Sequence, residues 1–199
     1  MSNKTNDMIR YTAFKMFVEV GYEATNIRSI CEEVKIKPSS LYFYYKSKQE
    51  LFFSIYDEVW EEKLNISKNI DELGSDIPPN MKLYFLYKGF MDYYCQNIIK
   101  MKFLFRYHLF PPEDIADIIR EKYREWTSKE DELIQDMIKQ CVEGGVLSDE
   151  RSLSDYVYEY KKFERSQLFE LIISNTRKND MEIYNCWLKF WNCSMLSSN

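Results

Sequence analysis

Residues 21–48 read GYEATNIRSICEEVKIKPSSLYFYYKSK, and the order of residue types in that stretch decides the fold. Gly21 stops the helix before it, whose apolar residues Ile9, Ala13, Met16, Phe17 and Val20 recur at helical spacing. Beyond it, Thr25 or Asn26 is a natural N-cap for a second helix with Ile27, Ile30, Cys31 and Val34 on one face. Pro38 suits the first turn of a third helix that runs to about Tyr44. Ser47-Lys48-Gln49-Glu50 is a capping box that opens a long fourth helix through Leu51, Phe52, Ile55 and Val59 to about Ile70. From Val34 to Lys48 there are four lysines, Lys35, Lys37, Lys46 and Lys48, and no acid, so the compact unit ends in a basic tip suited to a nucleic-acid duplex.

Outward from that unit, the remaining chain is also helical in pattern. Of 199 residues 45% are hydrophobic, which excludes a disordered chain, and with five Gly, five Pro and no alternating Val/Ile/Thr runs the expectation is all-α, about nine helices. Leu73–Asn80 reads as a loop, Met81–Lys100 as a helix, and a shorter helix follows to Phe110, stopped by Pro111-Pro112. A long helix is expected from about Glu113 to Glu143, with Thr127-Ser128 as a candidate break and Gly144-Gly145 as its stop. Two more, Ser154–Ser174 and Asp180–Met195, flank a polar break at Asn175–Asn179. The division expected is a DNA-binding domain over residues 1–50, with its helix-turn-helix at about 26–45, joined by the long fourth helix to an effector-binding and dimerisation domain over 51–199.

Charge is distributed in support of this division. The net charge is −5, yet residues 1–50 carry eight Lys/Arg against six Asp/Glu while residues 51–199 carry 19 against 26. An acidic body with one basic tip touches phosphates by a single surface and is repelled elsewhere. Cys31, Cys95, Cys141, Cys186 and Cys193 form an odd set without a CxxC pair and are read as reduced thiols packed as small apolar groups; no metal site and no cofactor are expected. No run of about 18 apolar residues occurs, so no membrane contact is expected and the protein is placed in the cytoplasm. With one histidine, His108, no Gly-x-Ser-x-Gly and no phosphate-cradling glycine loop, an enzyme is not expected.

Residues 8–55 resemble the N-terminal domain of the TetR family of bacterial transcriptional regulators. The likeness is carried by Ala13 and Phe17, Gly21-Tyr22-Glu23-Ala24-Thr25, Ile30, Leu41-Tyr42, Tyr45-Lys46-Ser47-Lys48 and Glu50-Leu51-Phe52. The resemblance implies that Thr25, Asn26, Tyr42, Tyr44, Lys46 and Lys48 clamp the backbone of double-stranded operator DNA, that Lys37, Pro38, Ser39 and Ser40 face base edges, and that Arg28 reaches in from the second helix. Leu41 and Tyr45 are read as core. Most members of the family have glycine in the turn between the second and third helices and a small hydroxyl residue before the third, where this chain has Lys35 and Lys37. Lysine is costly at positive φ, which points to a turn of slightly different shape.

The second half has two features of its own. Ten of the thirty residues from Met81 to Phe110 are aromatic, and with Tyr84, Tyr87, Tyr94, Phe103, Tyr107, His108 and Trp126 they either wall a cavity for an aromatic or lipophilic small-molecule effector or form ordinary core. Glu113 and Asp114 either pair with a cationic effector or are the acidic first turn of a helix. In the last two helices Val157, Leu168, Leu171, Ile172, Ile183, Trp187, Leu188, Phe190 and Trp191 offer more apolar surface than one face needs, which reads as a homodimer interface. The expected function is that of a DNA-binding transcriptional repressor released by its effector. The alternative is a helical interaction protein of the same fold that no longer reads specific DNA.

Overall fold

The computed structural model describes residues 2–71, 73, 74 and 76–196; Ser75, inside the expected loop, lies outside them. The described residues form nine α-helices, a 3-10 turn and a π-helical extension, with no strand. None of these helices is long and apolar enough to cross a membrane. They fold into two compact units, Met1–Glu61 with Ile99–Tyr123, and Glu62–Ile98 with Arg124–Asn199.

The first unit is built on α1 (Ser2–Glu19), α2 (Ile27–Val34), α3 (Pro38–Tyr42) and the start of α4 (Lys48–Asp71), joined by most of α6 (Ile98–Leu109) and the start of α7 (Ala116–Glu143). Ile9, Ala13, Phe17, Ile30, Leu41, Leu51 and Phe52 are all fully buried, as the helical spacing predicts. Val20 differs: α1 has ended by then, and Val20 is exposed. At the centre, the Phe52 ring lies 4.8 Å from Tyr107, 5.1 Å from Tyr22, 5.2 Å from Phe17 and 5.6 Å from Phe103. Three of these contacts are edge-on, the geometry that the ring quadrupoles favour.

The C-terminal carbonyls of a helix have no partner within it. Here α6 supplies two: the Tyr107 hydroxyl donates to the Phe17 carbonyl at 2.8 Å and Arg106 Nη1 to that of Val18 at 3.0 Å. Gly21, at φ 92°, makes room for this, because a Cβ there would stand 2.6 Å from Arg106 Nη2. Burial pushes the Tyr107 phenol up to about 12, so it stays a donor.

The second unit contains the end of α4, α5 (Pro79–Gln96), most of α7, α8 (Leu153–Ser174) and α9 (Asp180–Phe190), extended by the π-helical turn Trp191–Met195. Three boundaries differ from those expected. Helix α5 starts two residues early, at Pro79, and breaks at Asn97 rather than near Lys100. Helix α7 follows the 3-10 turn Glu113–Ile115 and runs unbroken past Thr127, whose hydroxyl bonds the Arg124 carbonyl at 3.2 Å within the helix. Phe163 stacks on Phe190 at 4.1 Å, and the Trp187 ring touches Tyr87, Phe163, Phe190 and Trp191.

Inside this apolar packing lies a buried ionic network. Lys63 Nζ stands 2.8 Å from Glu130 Oε1 and 3.2 Å from Glu164 Oε1, and Lys161 Nζ is 3.1 Å from Glu130 Oε2 and pairs also with Asp131. The Tyr94 hydroxyl donates to Glu164 at 2.6 Å. Burial alone would raise the Glu130 carboxyl, but Lys63 and Lys161 outweigh it and hold the group below its usual range. The network ties α4 to α7 and α8 within the unit. All five cysteines are free thiols, with Cys31 and Cys141 buried.

Candidate nucleic-acid interface

The helix pair α2–α3 is held by local bonds that the residue types dictate. Asn26 is the N-cap of α2, its Oδ1 accepting from Ser29 N at 2.9 Å and from the Ser29 hydroxyl at 3.1 Å. Thr25 is buried, and its hydroxyl donates to the Gly21 carbonyl at 2.7 Å. That side chain is therefore spent on the turn between α1 and α2 and is turned away from any ligand surface.

The turn after α2 corrects the expectation of an altered shape. Lys35 N bonds Glu32 O at 3.2 Å and Ile36 N bonds Cys31 O at 2.9 Å, the paired bonds of a Schellman motif. Lys35 occupies its left-handed position at φ 60°, ψ 45°. The same motif closes α7, where Gly145 N bonds Val142 O and Val146 N bonds Cys141 O, with Gly145 at φ 70°. The chain thus keeps the ordinary turn and places a lysine where glycine is least strained.

Helix α3 begins at Pro38, with Lys37 as an N-cap that makes no side-chain bond. It is shorter than expected, five residues, with a last turn closed by Tyr44 N and Tyr45 N on the Leu41 carbonyl. Leu41 and Tyr45 point inward, and the Tyr45 hydroxyl donates to Asn6 Oδ1 at 2.7 Å. The outward side carries Lys37, Pro38, Ser39, Ser40, Tyr42 and Lys46, all exposed, and Arg28 of α2 is exposed as well. Tyr44 is half-buried under the edge of Phe43. At the start of α4 the Ser47 hydroxyl accepts from Glu50 N at 3.0 Å, while Glu50 Oε2 accepts from Lys46 N at 2.7 Å, so the box closes one residue before Ser47. Lys48 is not a free arm: its ammonium donates to the Tyr22 carbonyl at 2.7 Å and sits 4.1 Å from that ring's centre. Sequence reasoning passed over Phe43, the most exposed ring of the group at 81%; the signal that could have found it is its place four residues after Ser39, on the side opposite Leu41.

Residues 9–55 match the family of bacterial regulatory proteins described as the tetR family. In this stretch the chain is similar to TetR-family regulators. Over 68 residues the chain is 35% identical to the uncharacterized HTH-type transcriptional regulator YuxN of Bacillus subtilis (strain 168); this match covers 32% of the chain and 23% of that protein's length. Beyond residues 9–55, the fold as a whole is similar to that of solved structures. A TetR transcription regulator from Haloarcula marismortui ATCC 43049 superposes with a TM-score of 0.76 at 15% identity over 98% of this chain and 99% of that chain. The fatty acid degradation regulator FadR from Bacillus halodurans does so with a TM-score of 0.72 at 13% identity over 93% of each. These relatives are transcription regulators, not enzymes.

The residues expected to form an effector site fall in both units. Phe103, Tyr107 and His108 belong to the first unit, where Phe103 and Tyr107 pack on Phe52, and the His108 ring lies among Tyr56, Trp60 and Tyr123, its Nε2 2.7 Å from the Tyr56 hydroxyl. Tyr84, Tyr87, Tyr94 and Trp126 belong to the second; Tyr84 and Tyr87 pack on Trp187, Tyr94 joins the ionic network, and Trp126 lies under the Lys129 ammonium at 4.5 Å. Glu113 and Asp114 form the acidic first turn of the 3-10 segment.

The expected dimer residues also divide. Leu168, Leu171, Trp187, Phe190 and Trp191 are buried in the second unit's own core, as are Val157 and Ile183, and Ile172 is half-buried. The large rings satisfy the intramolecular face first, because that face is closed by α5. The exposed apolar side chains of α8 and α9 are instead Tyr158, Phe169, Ile173, Met181, Tyr184 and Leu188.

Proposed function

We propose that this protein is a DNA-binding transcriptional regulator that reads a two-fold operator as a homodimer and is released from it, as a repressor, by a small-molecule effector. The observation that carries the DNA reading is the outward side of α2–α3: an exposed surface of lysines, small hydroxyls and phenols, with no acid between Val34 and Lys48, on helices whose inward residues are fully packed. Such a surface supplies salt-sensitive phosphate attraction and donors for base edges. Arg28, Lys37, Ser39, Ser40, Tyr42 and Lys46 are the contacts; Asn26 and Lys48 set the helix ends from which those contacts reach.

Dimerisation through Phe169, Ile173, Met181 and Leu188 would join two copies along α8 and α9, and a two-fold pair of recognition helices roughly 34–36 Å apart meets successive major grooves. An effector that binds only one spacing of the pair shifts the population away from the DNA-bound form. Its contacts are assigned to the second unit, where Tyr84 and Tyr87 pack on Trp187 and the Tyr94 hydroxyl bonds Glu164 of the ionic network, rings and polar groups that suit a lipophilic or aromatic molecule with one polar group. A reader of operator DNA works in the cytoplasm.

The test is binding of the purified protein to duplexes it selects from a random library, followed by fluorescence anisotropy over a salt series. Tyr42→Ala and Lys46→Ala should each weaken binding, Lys46→Ala with a slope shallower by about one unit, and both should sediment as the wild type does. Unchanged binding in both variants would remove this surface from the DNA interface; failure to select any duplex would leave the interaction-protein reading.

A further inference from the structure

Phe43 is 81% exposed, on a surface otherwise made of hydroxyls, phenols and lysines. It follows α3 directly, its N–H bonded to the Ser39 carbonyl at 3.2 Å, so it continues the side that presents Ser39 and Ser40 while Leu41 and Tyr45 face the core. Its ring meets the Tyr44 ring edge-on at 5.2 Å and an interplanar angle of 89°, which leaves the outer part of the ring in solvent. A phenyl ring donates no hydrogen bond and neutralises no phosphate. What it can offer a partner from this surface is an apolar contact.

Resting on the DNA-reading proposal, we propose that Phe43 is a specificity-determining residue that packs on the C5 methyl of a thymine in the operator. The partner is identified by charge and by shape. The segment that carries the ring holds Lys35, Lys37 and Lys46 and no acid from Lys35 to Ser47, and the Glu50 carboxylate is engaged by Lys46 N, which fits a polyanion rather than a neutral or basic protein surface. A short helix that ends in solvent enters the major groove, and the apolar feature presented there by the bases is the thymine methyl. Ser39 and Ser40, one helical turn earlier on the same side, are small enough to let the backbone approach and bring the ring to base depth.

The experiment uses the full chain and a duplex of about 30 bp selected by the wild type from a random pool. Each thymine is replaced in turn by deoxyuridine, which removes one methyl and nothing else, and affinities are read by anisotropy at fixed salt. The wild type should weaken about fourfold at one thymine per half-site, the worth of one buried methyl group. Phe43→Ala should weaken on the unmodified duplex, lose its sensitivity to deoxyuridine at that same thymine, and keep the wild-type slope of affinity against salt. Phe43→Leu, which keeps an apolar side chain, should retain part of that sensitivity. The proposal is overturned if no thymine replacement distinguishes wild type from Phe43→Ala, or if the variant changes the salt slope or the protein's self-association instead. If the wild type selects no duplex at all, it is the DNA reading that fails, and this inference falls with it.

Discussion

Replacing Lys35 by glycine separates the two things this residue does at the end of α2: it occupies a left-handed backbone position, and it places an ammonium beside the candidate DNA surface. At φ 60°, ψ 45° a side chain with a Cβ costs about 1–2 kcal/mol. Glycine removes that cost but gives back roughly 0.5–1 kcal/mol through the greater freedom of the unfolded chain. The net expectation for Lys35→Gly is about 0.5–1 kcal/mol of added stability, a rise in melting temperature of about 1–4 °C for a chain of this size. Lys35→Ala is the control, since it removes the same charge and keeps the strained backbone. Thermal unfolding followed by circular dichroism should place Lys35→Ala near the wild type and Lys35→Gly above both. On DNA the two should behave alike, each with a slope of log affinity against log salt shallower by about 0.9 if the ammonium meets a phosphate. A glycine variant that melts no higher than the alanine variant would refute the strain argument, because backbone conformation is what separates the two.

The buried network predicts both a stability loss and its pH dependence. Lys63→Met leaves Glu130 and Glu164 without a shared counter-ion and should cost about 3–5 kcal/mol by urea unfolding near neutral pH. Because the Glu130 carboxyl is held below its ordinary value of 4.5, its contribution in the wild type is complete above that pH and is lost as pH falls through the depressed folded value. The gap between Lys63→Met and wild type should therefore narrow on acidification; a constant gap would show that the network is not ionic in effect. For the proposed dimer, Phe169→Asp with Leu188→Asp, both on exposed positions, should give a folded monomer by sedimentation, whereas Trp187→Ala, in the core, should lower the melting temperature and leave the oligomeric state of the folded fraction unchanged.

Much of this architecture is legible in the chain because it depends on near neighbours. Gly21 ends α1, Asn26 caps α2 and Ser47 caps α4, each through a bond to a residue three to five positions away, and Pro38 opens α3 by its fixed φ. Apolar spacing likewise placed Ile9, Ala13, Phe17, Leu41 and Tyr45 in the core. Periodicity does not say which side of a two-sided helix is closed by the rest of the chain. Trp187, Phe190 and Trp191 looked like spare apolar surface, yet they are the inner face of α9 and its π-helical extension, and the surface left over is Met181, Tyr184 and Leu188. The aromatic run from Met81 to Phe110 reads as either a cavity wall or ordinary core, and the break at Asn97 lies where its two parts pass to different units.

By itself, then, the sequence determined the helices, their caps and the basic, acid-free character of the α2–α3 surface, since short-range hydrogen bonds and side-chain spacing carry that information. Only the tertiary structure decided that Lys48 turns back to Tyr22 while Phe43 stays out, that α6 caps α1, and that Lys63 meets Glu130 and Glu164. Those outcomes depend on which distant groups pack together, and burial fixes that by filling space and satisfying charge across the whole unit rather than along any one segment.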